Sequence, residues 1–74
     1  MNMDQIKGQW LQLKGAAKTQ WGKLTDDELT QVEGNVDRLV GLVQERYGYE
    51  TERARREVDR FFVEYDEEAR RSRA

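Results

Sequence analysis

The residue types that carry most protein chemistry are scarce in this chain. Its 74 residues include no His and no Cys. That excludes imidazole acid–base catalysis, thiolate nucleophiles, disulfides, and zinc or haem ligation through those side chains. Carboxylates, amines, hydroxyls and phenols remain. The densest acidic run is Asp26-Asp27-Glu28. Three adjacent acids could recruit a divalent cation, but the Asp-x-Asp-x-Asp-Gly run and distal Glu of a calcium loop are absent. An acid-rich helix start accounts for them better. Ser72 is the single serine and lies in a charged terminal stretch. No nucleophile elbow, Walker-type loop or dinucleotide fingerprint occurs. The residues therefore predict a non-enzyme with no catalytic, metal or cofactor site and no small-molecule substrate.

Cations offer a second candidate. Lys7, Lys14, Lys18 and Lys23 face one acid, Asp4, within residues 1–24, a stretch that also holds Trp10 and Trp21. This is the candidate interaction surface, and a weak one. Over the whole chain 13 basic residues meet 15 acidic ones, for a net charge of −2. Domains that hold nucleic acid usually carry a large basic excess, so this balance weighs against nucleic acid as a partner. No apolar run approaches the roughly 20 residues that span a bilayer. The first helix is also too mildly basic for a membrane-surface anchor. Residues 1–9 lack the apolar stretch of a signal peptide. The expectation is a cytoplasmic monomer without a membrane partner.

Helices must position these groups. Met3, Ile6, Trp10, Leu13, Ala17 and Trp21 step by three or four, one face of an α-helix. Gly22 is placed to end it with a positive φ. Gly8 and Gly15 lie inside it, where they would permit close helix approach. Thr25, followed three residues on by Glu28, is a capping box, and Leu24 with Leu29 is the matching hydrophobic staple. That second helix ends near Glu33. Asn35 caps a third, with Val36, Leu39, Val40, Val43 and Tyr47 on its apolar face and Gly48 at its end. Thr51 caps a fourth, which buries Ala54, Val58, Phe61, Phe62 and Tyr65, and Ala69 at its end. Its outer face offers i,i+4 ion pairs: Glu52 with Arg56, Arg53 with Glu57, Arg60 with Glu64. No segment alternates as a half-buried strand would.

The fold class is thus all-α. One domain spans residues 1–66, and residues 67–74 form a charged, frayed tail. The glycines suggest an internal duplication: Gly8, Gly15 and Gly22 recur 26 positions on as Gly34, Gly41 and Gly48. Thr25-Asp26 then falls on Thr51-Glu52, and Leu13 on Leu39. Helical patterning alone is the other explanation. Duplication predicts a small four-helix domain of two packed hairpins, with Gly22–Thr25 and Gly48–Thr51 as equivalent turns. That is similar to SAM-like and double helix-hairpin-helix arrangements; an up-and-down bundle is the alternative.

Several runs carry a family resemblance. Trp10, Lys14-Gly15, Trp21-Gly22-Lys23-Leu24-Thr25-Asp26-Asp27, Glu33-Gly34, Leu39-Val40-Gly41 and Gln44-Glu45-Arg46-Tyr47-Gly48-Tyr49 resemble the CsbD-like family of small bacterial proteins, across residues 2–65. The resemblance implies a small SAM-like helical fold and an association with general stress response. It implies no established molecular activity and no catalytic residue; the stretch after Tyr65 inherits nothing from it. Composition is also similar to that of hydrophilins, with six glycines and a mean hydropathy of −1.05. The expected function is a non-enzymatic stress-response protein that acts as a hydrophilin-like protectant. The alternative is a small adaptor or regulatory module that contacts nucleic acid through the Lys-bearing first helix.

Overall fold

The structure is a computed structural model describing residues 2–71, and these form five helices and no strand. They are α1 (Met3–Gly8), α2 (Trp10–Gln20), α3 (Asp26–Val32), α4 (Val36–Tyr47) and α5 (Thr51–Arg71). The all-α class is as expected; the count of four is not. The first predicted helix is two. At Gln9 the backbone leaves helical geometry, with φ −109° and ψ 12°. Its carbonyl receives both the Gln12 and Leu13 N–H groups.

The break accompanies a close approach. Gly34, with φ +78°, turns the chain between α3 and α4. A Cβ at Gly34 would come within 2.8 Å of the Lys7 Cα. α1 therefore rests directly on that turn, while α2 packs on α3. Close approach was expected at Gly8 and Gly15; there a Cβ would meet nothing within 4 Å.

The three-four spacing otherwise delivers its residues to one core. Ile6, Trp10, Leu13, Leu29, Leu39 and Val43 are buried, as are Val58, Phe61 and Phe62 of α5. Val36 and Tyr65 are partly buried against that core. Met3 and Ala69, predicted on apolar faces, are exposed. Trp21 packs on Phe61 with ring centres 5.0 Å apart, and Phe61 meets Phe62 edge-on at 5.1 Å. α4 packs most extensively on α5. A helix of 21 residues is about 31 Å long. It accounts for most of the 39 Å long axis.

The two turns predicted as equivalent differ. Gly48 has φ +69° and closes α4, whereas Gly22 keeps a negative φ and Trp21 ends α2 instead. Thr25 caps α3 with its hydroxyl. Thr51 is itself the first residue of α5, and its hydroxyl accepts a hydrogen bond from Gln44 Nε2 at 2.9 Å. Ion pairing on α5 also departs from expectation. Arg53–Glu57 forms at 3.9 Å, but Arg56 and Arg60 do not meet Glu52 and Glu64. A second pair, Asp66–Arg70 at 3.3 Å, lies near the end of α5. Ser72 and the last residues of the predicted tail lie outside the described residues.

Candidate functional site

The acidic run and the cationic stretch meet around α3. Thr25 and Glu28 form the reciprocal box: the Glu28 N–H donates to Thr25 Oγ1 at 3.1 Å, and the Thr25 N–H donates to Glu28 Oε1 at 3.0 Å. Leu24 and Leu29, the staple, are both buried. The other Glu28 oxygen is taken by Arg46 from the last turn of α4. The Thr25 N–H, first, and the Arg46 guanidinium hold the Glu28 carboxyl below the ordinary glutamate range. Asp26 pairs with Lys14 Nζ at 3.4 Å. Two of the three adjacent acids are thus engaged in fixing α3. Among the described residues no three His, Cys, Asp or Glu side chains gather as metal ligands would.

The four predicted lysines have four different settings. Lys14 Nζ bridges from α2 to α3, donating to Asp26 and, at 3.2 Å, to Thr30 Oγ1. Lys18 Nζ donates to the Leu24 carbonyl at 3.2 Å. Lys23 Nζ lies 5.0 Å from the centre of the Tyr47 ring. Lys7 packs its backbone and stem against Gly34. The structure gives three of these ammonium groups contacts within the fold, each to a different partner.

The far end of α3 shows a further arrangement that the sequence did not reveal. A helix leaves its last four carbonyls without intrahelical partners. Here Leu29 O accepts from buried Trp10 Nε1 at 2.8 Å, and Gln31 O from Arg38 at 3.3 Å. Thr30 O takes the Glu33 N–H and Val32 O the Asn35 N–H. Trp10 was assigned to the core by its spacing; its second role needs the tertiary fold. Glu33 closes the helix in the left-handed region at φ 55°.

An open groove of about 560 Å³ runs between α3 and α4, lined by Glu28, Gln31, Val32, Arg38, Gly41, Leu42 and Glu45. A second, about 340 Å³, lies between α2 and α5, with Phe61 and Tyr65 below Glu64 and Glu68. Both are open troughs between neighbouring helices. No helix among the described residues is long and apolar enough to cross a membrane.

A five-helix domain braced by a capping box, a tryptophan–carbonyl bond and lysine ties is a small all-α domain in class. Its family follows from comparison: the chain matches the CsbD-like family over residues 4–56, and it belongs to that family. A UPF0337 protein of Pectobacterium atrosepticum is 66% identical over 58 residues, covering 78% of this chain and 84% of the relative. One from Bordetella pertussis is 61% identical over 62 residues, 84% of this chain and 94% of the relative. The UPF0337 protein YjbJ of Escherichia coli is 57% identical over 58 residues, 78% of this chain and 84% of the relative.

Proposed function

We propose that this protein is a non-enzymatic, cytoplasmic stress-response protein that acts as a hydrophilin-like protectant. It works as a monomer, a hydrated spacer that keeps other macromolecules apart as water activity falls. Membership of the CsbD-like family is compatible with that role. The observation that carries the reading is how the chain divides its residues. The buried side chains among the described residues are all apolar, and charges of both signs intermingle on the outside. Large exposed apolar side chains are scattered singly, as Met3, Leu11 and Val63, on different helices. Such a surface stays hydrated and engages no client strongly.

The test is protection of an unrelated, drying-sensitive enzyme. Recovery of its activity after desiccation or freezing is expected to rise with the molar ratio of this protein. Recovery no better than an equal mass of serum albumin gives would refute the reading.

A further inference from the structure

One face of the molecule joins cations to aromatic rings in series. Lys23 Nζ lies 5.0 Å from the Tyr47 ring centre, and Tyr47 stacks on Tyr49 at 5.3 Å with 30° between the planes. The Arg53 guanidinium follows, 3.9 Å from the Tyr49 ring centre. Arg53 then opens a shallow concavity of about 290 Å³ on α5, lined also by Arg56, Glu57 and Arg60. Three guanidiniums share that hollow with one carboxylate. Glu57 is occupied by Arg53, whereas Arg56 and Arg60 pair with no carboxylate among the described residues. The helix rise sets these arginines about 4.5 Å and 6 Å apart along its axis.

The chemistry of this face is specific. A guanidinium held against a ring keeps its other face available, and 56% of the Arg53 side-chain surface is open although its Nε faces Glu57. Unpaired bases stack on such planes, while neighbouring arginines take the backbone phosphates. A duplex hides its base faces, and a chain of net charge −2 has no broad basic field to grip one. We propose that this face binds single-stranded nucleic acid, with Arg53 stacking on a base and Arg56 and Arg60 holding flanking phosphates. The site goes beyond the protectant role and does not depend on it.

Fluorescence anisotropy of the full chain with a fluorescein-labelled single strand of about 15 nucleotides tests this. Binding is expected to weaken with salt, with a log–log slope of about 1.4 in magnitude for the two phosphate contacts. Reversing Arg56→Glu together with Arg60→Glu should weaken it about tenfold or more. Arg53→Lys keeps the charge and loses the plane; it should weaken binding several-fold at an unchanged salt slope. Arg70→Glu with Arg71→Glu makes the same charge change at the far end of α5 and should leave affinity within about twofold. Each variant is first checked for native helicity by circular dichroism. The double α5 variant should still protect a drying enzyme, which separates this site from the protectant reading. Absence of binding, equal binding of a duplex, a neutral Arg53→Lys, or an equal loss in the Arg70/Arg71 control would each overturn the proposal.

Discussion

Trp10 and Trp21 bring the same ring into one core, but their N–H groups fare differently. Trp10 Nε1 donates to Leu29 O, whereas Trp21 Nε1 is buried without a partner among the described residues. Replacing either by Phe removes similar ring area. Trp10→Phe also orphans a helix-end carbonyl, a penalty of about 1–3 kcal/mol that Trp21→Phe escapes. Urea unfolding should therefore rank Trp10→Phe as clearly the less stable; equal midpoints would deny the bond its role. Glycines make a second contrast. Gly34→Ala faces a positive φ and the Lys7 backbone, and should destabilise by more than about 1 kcal/mol. Gly15→Ala, in an open helix interior, should stabilise by about 0.5–1 kcal/mol. Thermal melting distinguishes the two by sign. The regular glycine spacing concealed that difference, because seven-residue steps say nothing of which backbone another helix touches.

At the scale of elements, α3 was the most legible part of the chain. Thr25, Glu28, Leu24 and Leu29 are local signals and act within one turn, so no distant residue could override them. The break at Gln9 was not legible. Apolar spacing runs unbroken from Ile6 to Trp10, and the interruption coincides with a packing contact between α1 and Gly34, remote in sequence. Thr51 looked like a second Thr25, yet the chain enters its helix one residue earlier. Of the three predicted α5 ion pairs only Arg53–Glu57 forms; an exposed i,i+4 pair is worth a few tenths of a kcal/mol, too little to fix two long side chains at the other two positions. Arg55 reaches Asp37 on α4, and Arg53 lies over Tyr49. Three of the candidate lysines tie α2 and the α2–α3 turn to their neighbours, contacts that spacing along the chain does not show. Glu28 gives this scale its prediction. Its carboxyl is held low in the folded state, so the unfolded chain takes up the proton first. The stabilisation is complete above the ordinary glutamate range and is lost as pH falls through the lower, folded value. Glu28→Gln should therefore flatten the acid limb of melting temperature against pH. An unchanged limb would show that the box and the Arg46 pair carry no linkage.

For the whole molecule, the apolar residues are spent on one core and the charges are left at the surface. A chain of 74 residues has a thin core and marginal stability, so the braces around α3 matter more than they would in a larger domain. On the proposed protectant reading, protection then follows from the average character of the surface rather than from one convergent group. That is the central claim, and it has a direct test in a panel of variants that move single charges around the outside. Asp4→Lys, Glu45→Lys, Asp59→Lys and Glu67→Lys each change the exposed surface at a different place. Each variant is measured for recovery of an unrelated enzyme after drying, at matched molar ratio. The account predicts recovery indistinguishable from the parent protein for all four, with no isolable complex between protein and enzyme. Loss of protection in one variant alone, together with a stoichiometric complex in the parent, would contradict it.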